Sequence, residues 1–535
     1  MSLVARDATT QEQHEANRGE AQPLPGSALW MSRWSRAANA LWIPAYVLAL
    51  VWWHDRVPDG PNNDAVEEAL RGLYLVRGHH LEVMTFAVGN SAETLYLYLT
   101  GVVATLIGPT TLALQLPGWV FAVAVVWMLA VAARRLEPDL PGIVVILIGV
   151  SSLWLFHFAR SGVRTITAPF FLLGFFLALM RSETAASPGS SRRHAAIAGG
   201  MLALGLYSYT SCRVIPIVLA IYAALRLGST PNRAERRALL STYGSLLGVA
   251  AIVSIPNLVS FAGHPQEFLF RGSYSAPGSL AGKLQALMWT AVMPFHYPVD
   301  LTSGMTGLPR FEVDGITNGL VIAGLRPIHP VVAAAFVYGL VRAYGRRREP
   351  AVLFLIVALL TSIASLGLAG PALGRLLIVL PVYLLFAAIG IADVIRRFPA
   401  DRRLAMAGIV LLAGWELFTY YTKLDRSDAA RYFASAAATP MGRRAAELAA
   451  GGERVICVVS KDASAIRYLT WAHAADVRIA EFYFRPPVAA EIPLAQFRPA
   501  VVLVERADAF TPFIRELPGQ HTPSVRFEEI RLVAR

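Results

Sequence analysis

The chain has 535 residues, 55% of them hydrophobic and only 16% charged, with a formal net charge of +12. A soluble protein of this length needs more polar surface to cover its core, and here the apolar residues are gathered into runs, so composition places the chain in the membrane class. The basic residues sit in short clusters between those runs, the pattern of positive-inside loops, and no basic stripe of the kind a nucleic-acid face needs is present. Two cysteines, Cys212 and Cys457, exclude a disulfide scaffold and a cysteine-rich metal site.

Residues 1–36 are polar and contain no apolar signal core, so they read as a disordered cytoplasmic tail. The first apolar run is 37–53, preceded by Arg33 and Arg36. A polar stretch follows, and then 93–108, which is apolar but short and carries Glu93. Later runs are 112–133, 141–159, 165–180, 195–210, 213–227, 241–261, 328–345, 351–370, 372–395 and 404–422. With 37–53 these make about eleven spans, if 93–108 lies at the interface instead of crossing.

Alternation tests that condition. Without 93–108, the cytoplasmic loops are 134–140, 181–194, 226–238, 342–350 and 396–403, which hold the arginine clusters around Arg134, Arg192, Arg236, Arg347, Arg396 and Arg402. The much longer first outer loop holds only Arg56, Arg71 and Arg77. Counting 93–108 as a span would turn every later cluster outward. The expected organisation is therefore a cytoplasmic tail (1–36), a membrane domain (37–424) with long outer loops 54–111 and 262–327, and a soluble extracytoplasmic domain (425–535). In the last, 453–460, 477–484, 500–505 and 524–533 read as strands, with helical stretches at 427–449 and 507–516. No strict repeat and no matched pair of broken spans is present, which weighs against an inverted-repeat transporter.

The first outer loop carries Asp64, Glu67 and Glu68 at helical spacing. That spacing fits a solvated amphipathic helix, and equally a carboxylate cluster for general-base work or cation binding, with Asp64 and Glu68 as the metal pair. His157, Arg160 and Arg164 cap the outer ends of two consecutive spans, and Arg213 and Arg375 fall at the same level, where no positive-inside pressure acts. One such arginine reads as snorkelling to headgroups; four on one side suit an anionic ligand, because the guanidinium fork matches phosphate. His296, Asp300, Arg310, Glu312 and Asp314 lie in the second outer loop. The chain contains no HExxH, phosphate-binding glycine loop or GxSxG.

Several stretches in order resemble the bacterial GT-C glycosyltransferases related to protein O-mannosyltransferases and aminoarabinose transferases. The family's acidic motif is matched by Asn63-Asp64-Ala65-Val66-Glu67-Glu68-Ala69, and its Pro-Pro-Leu-Tyr-x-Tyr-Leu segment by Glu93-Thr94-Leu95-Tyr96-Leu97-Tyr98-Leu99. Gln115-Leu116-Pro117-Gly118 stands for Arg-Leu-Pro-Ser, and Trp154 to Arg160 for Trp-His-x-x-x-Ser-Arg. Leu206-Tyr207-Ser208-Tyr209 followed by Arg213, and the opening Arg375 to Pro381, complete the series over roughly residues 37–400. Ala65 replaces the family's second acid, Gln115 its arginine and Glu93-Thr94 its proline pair.

The resemblance implies a bacterial inner-membrane enzyme that moves a sugar from a polyprenyl-phosphate donor to an extracytoplasmic protein, lipid or glycan, with inversion. It implies Asp64 as base, Glu67 or Glu68 as its helper, and Arg160, Arg164, Arg213 and Arg375 on the donor phosphate. His157, His296, Glu93 and Tyr209 are further cavity candidates. No cofactor is required, and a divalent cation is optional. The rival expectations are a lipid-linked sugar flippase and a non-catalytic GT-C-like binding protein.

Overall fold

In a computed structural model of the chain, the described residues are 41–56, 62–85, 92–266, 279–295, 325–369, 372–398, 402–425, 438–459, 463–482, 492, 500–505, 510, 514–515, 517, 519–524 and 526–532. The tail 1–36 and His296, Asp300, Arg310, Glu312 and Asp314 lie outside them.

The chain is mostly helical. Helix α1 (Leu41–Val51) is followed by α2 (Asn63–Arg77). A two-strand hairpin comes next, β1 (Met84–Thr85) with β2 (Ala92–Glu93), and then α3 (Leu95–Ile107) and α4 (Thr111–Leu136). α5 (Gly142–Val150) and α6 (Leu153–Ser161) precede α7 (Arg164–Glu183), α8 (Pro188–Leu206), α9 (Thr210–Ser229) and α10 (Arg233–Gly263). After α11 (Leu280–Val292) come α12 (Pro330–Tyr344), α13 (Pro350–Leu368), α14 (Leu373–Arg397) and α15 (Arg402–Asp425).

Among the described residues seven helices are long and apolar enough to cross a membrane: α4, α7, α9, α10, α13, α14 and α15, the last over Leu404–Leu424. An eighth span is the bent pair α5 and α6, which meet at 57°. The run 141–159 was expected as one helix. It breaks because Ser152 turns out of the helical conformation and caps α6, its hydroxyl accepting the Leu155 N–H at 3.4 Å. The other three expected spans correspond to α1, α8 and α12. α1 and α12 are shorter, and α8 carries Arg192, Arg193 and His194 in its opening turns. The segment 93–108 becomes α3, a further shorter apolar helix of 13 residues, which packs along α2.

The two ends of the bundle differ. At one end the arginines of the inter-span loops pair with carboxylates. Glu137 receives Arg346 and Arg396, Arg397 lies 3.0 Å from Asp393, and Arg226 lies 3.5 Å from Glu183. The other end bears α2, the hairpin, α3 and the C-terminal domain.

That domain comprises α16 (Ala438–Ala450), β3 (Val455–Val459), α17 (Ser464–Leu469), β4 (Val477–Glu481), β5 (Val501–Glu505), β6 (Gly519–Pro523) and β7 (Phe527–Leu532). The sheet order is β4-β3-β5-β7-β6, parallel through the first three strands and antiparallel through the last two. The expected strands all form. β6 was not expected, because Gly519-Gln520-His521-Thr522-Pro523 has no apolar alternation; as an edge strand it needs none. Met441, Ile466, Tyr468 and Leu503 share one core with Val66, Ala69 and Leu73 of α2 and Leu114 of α4. Tyr468 also donates to the Thr110 carbonyl at 3.2 Å. The domain is thus seated directly on the acidic helix.

Candidate functional site

The acidic helix is placed with care. Asn62 caps α2, its side-chain oxygen accepting the Asp64 N–H at 2.9 Å, so Asp64 falls in the first turn, where the helix dipole favours a negative charge. Its buried face, Ala65, Val66, Ala69 and Leu73, fixes its rotation. Asp64 is then exposed, Glu67 half-buried and Glu68 buried. Glu67 takes a 2.6 Å ion pair with Arg71 one turn on. α3 crosses α2 at the closest approach of the outer platform. A Cβ on Gly72 would come 2.2 Å from the Leu97 carbonyl oxygen, and one on Gly101 would come 2.3 Å from that of Gly72. Only glycines permit this contact.

Glu68 points at α7. Its Oε2 accepts the backbone N–H of Arg164 at 3.1 Å, and its Oε1 lies 3.1 Å from Arg164 Nε. Arg164 is 3% exposed and lies over the Tyr209 ring, 5.8 Å from its centroid. Glu68, Glu93 and Asp64 all contribute attractive potential at its guanidinium. Its Nε and Nη1 are buried and make no well-directed hydrogen bond among the described residues.

Glu93 reaches the same arginine from the hairpin, at 3.8 Å from Nη1, and lies 3.1 Å from Nη2 of Arg213. Arg213 ends the 3₁₀ turn that opens α9; its side chain is 35% exposed, against 4% for Glu93. Arg375, in the first turn of α14, donates to the Ala369 carbonyl at 3.0 Å. Its turn packs against the one carrying Arg213, and Gly374 abuts Thr165. The openings of α7, α9 and α14 therefore meet. In each, a proline follows within the first α-helical turn (Pro169, Pro216, Pro381), where its missing N–H costs nothing.

Arg160 and His157 are placed differently. Arg160 is fully buried and turned to the end of α1. It donates to the Trp52 and Trp53 carbonyls at 2.8 Å each and to Leu50, and lies over the rings of Tyr421 and Phe156. The Leu50 and Trp52 carbonyls are of the kind that a helix end leaves without intrahelical partners, while the Trp53 carbonyl also accepts the Arg56 N–H at 3.0 Å. His157 Nδ1 meets the Tyr420 hydroxyl at 3.2 Å, away from the Glu68–Arg164 pair. Sequence spacing could not show these contacts, since the partners are separated by more than a hundred residues for the α1 carbonyls and more than two hundred for Tyr420 and Tyr421. Gln115 Nε2 donates to the His54 carbonyl at 3.0 Å and so joins the α1 end to α4. Burial lowers the His54 imidazole from its usual range, against the opposing charge of Asp55.

The magnitudes separate two kinds of arginine. A buried pair stripped of one partner costs about 3–5 kcal/mol, so Arg164 is fixed by Glu68. Arg213, a third exposed, is less enclosed than Arg164, though its carboxylate partner Glu93 is buried. Among the described residues no three His, Cys, Asp or Glu side chains converge on a metal position. Glu68, one of the two acids expected at a cation, pairs with Arg164.

No protein-family model matches the sequence, and no curated protein matches it. The likeness is in three dimensions. ArnT from Cupriavidus metallidurans in the apo state superposes with a TM-score of 0.56 at 12% identity, over 93% of this chain and 98% of that one. The same enzyme bound to undecaprenyl phosphate gives 0.54 at 11% identity, over the same shares. The apo oligosaccharyltransferase of Archaeoglobus fulgidus gives 0.54 at 11% identity, over 91% of this chain and 73% of that one. The chain therefore has the GT-C fold, as a polytopic membrane protein with a small C-terminal α/β domain.

Proposed function

We propose that this protein is a glycosyltransferase of the bacterial inner membrane that moves a sugar from a polyprenyl-phosphate donor to a hydroxyl on an extracytoplasmic protein, lipid or glycan. The observation that carries the reading is the meeting of the openings of α7, α9 and α14, which carry Arg164, Arg213 and Arg375, beside the acidic helix of Asp64, whose Glu68 pairs with Arg164. The orientation follows from the opposite end, where the loop arginines gather on the side that positive-inside topology assigns to the cytoplasm. Undecaprenyl phosphate is bound by one structure of this fold, which supports the donor class.

In this mechanism the lipid tail lies between spans and its phosphate meets Arg213 and Arg375, with Arg164 behind them. Asp64 takes the proton of the acceptor hydroxyl. The acceptor oxygen bonds to the anomeric carbon as the bond from that carbon to the phosphate oxygen breaks, and the configuration inverts. The electron pair stays on the phosphate, which gains a negative charge; guanidiniums placed against that phosphate stabilise the charge as it develops. Glu68 keeps Arg164 in place and Glu67 pairs with Arg71; Asp64, exposed in the first turn of α2, is the acid that takes the role of base in this reading. Arg160, turned onto the α1 carbonyls, supports the site from behind.

Asp64→Asn, assayed with a polyprenyl-phosphate sugar, is expected to lose roughly 10²–10⁴-fold in transfer rate while still binding donor. Full transfer by this variant would sink the assignment of the base. Movement of donor lipid across liposomes without any transfer would favour a flippase.

A further inference from the structure

Glu93 has no part in the bond-making steps above, yet it sits between two of the arginines that those steps use. Its position is built. The β1–β2 pairing opposes it to Met84; next to it, the Thr94 hydroxyl donates to the Glu82 and Val83 carbonyls at 2.8 and 2.9 Å. The Leu95 N–H then donates to Tyr207 at 2.9 Å, which ties the start of α3 to the end of α8. The backbone on both sides of Glu93 is thus clamped, and the carboxylate cannot withdraw as a loop would. Arg213 is the opposite case, a long side chain, a third exposed, at the mouth of α9.

We infer that Glu93 is a built-in stand-in for the donor phosphate: it holds Arg213 while the site is empty, yields it when the lipid phosphate arrives, and recaptures it afterwards. This rests on the proposed transfer reaction. The unequal distances suit the exchange. Glu93 lies 3.1 Å from Arg213 and 3.8 Å from Arg164, so when Arg213 swings to the phosphate the carboxylate keeps a cationic neighbour and is not stranded. Competition of this kind weakens resting affinity for lipid phosphate. It also helps to expel the product, whose phosphate monoester carries more charge than the donor diester and would otherwise cling to the arginines.

The test is binding of undecaprenyl phosphate to the full-length protein in nanodiscs, for wild type, Glu93→Gln, Arg213→Ala and the double variant. Glu93→Gln is expected to bind about tenfold more tightly, the size of a modest charge-pair coupling. The gain should vanish in the Arg213→Ala background. A Glu93→Gln protein that binds no more tightly than wild type overturns the inference, and so does a gain that survives loss of Arg213. Should Glu93→Gln fail to fold, as a thermal melt would show, Glu93→Asp carries the test. It keeps the charge but falls one methylene short of Arg213, and is expected to tighten binding by a smaller factor; unchanged or weaker binding contradicts the inference. Arg213→Ala binding as well as wild type would instead count against the proposed donor site itself.

Discussion

Arg160 and Arg213 share a residue type and a side of the membrane, and their surroundings give them different work. Arg160 is closed in by Tyr421, Phe156 and the carbonyls that end α1, whereas Arg213 is a third open and pairs with the Glu93 carboxylate. Replacing Arg160 by methionine fills the space and removes the donor of the buried Leu50 carbonyl, at about 1–3 kcal/mol. Arg160→Met is expected to lower the melting temperature by several degrees while weakening undecaprenyl phosphate binding less than Arg213→Ala does; a thermal melt and a binding titration on the same samples check both. The sequence singled out both arginines because no topological rule explains an outward arginine, but it could not say which way each turns. Direction is set by Tyr420, Tyr421 and the α1 carbonyls, contributed by elements distant in the chain. For the acids more was legible. The spacing of Asp64, Glu67 and Glu68 put them on one helix; burial of Ala65, Val66 and Ala69 then decided that Asp64 stays open while Glu68 turns inward.

At the scale of elements, the site depends on short pieces that do not cross the membrane. α2 and α3 touch backbone to backbone through Gly72 and Gly101, and the hairpin delivers Glu93 to the opening of α9. Gly101→Val would drive a side chain into the Gly72 carbonyl, and the two helices must separate. The expected result is a protein that still inserts but loses donor binding and transfer, since Glu68 and Glu93 no longer meet at Arg164; proteolytic sensitivity in the 54–92 segment should rise with that loss. Intact binding would show that the platform tolerates a wider crossing. Length and arginine alternation set 93–108 apart in the sequence from the longer apolar runs, and it forms the helix Leu95–Ile107. Its packing on α2 was not legible, because a pair of single glycines leaves no periodic signal.

The molecule as a whole joins a bundle whose two ends carry different ion pairs. The loop arginines that marked one side also bind Glu137, Asp393 and Glu183, so they serve packing as well as topology. The C-terminal sheet was readable from its apolar strands. Its seat on α2 was not, because Val66 and Ala69 look like any amphipathic face until Met441 and Ile466 cover them. The same core that folds the soluble domain therefore steadies the acidic helix. The central claim is that the donor phosphate is received at this end. A structure of the full-length protein in nanodiscs with undecaprenyl phosphate tests it most directly. The account expects the phosphate against Arg213 and Arg375, with Asp64 facing it and Arg213 released from Glu93. A phosphate seated among Arg342, Arg346 and Arg396 at the other end would contradict it.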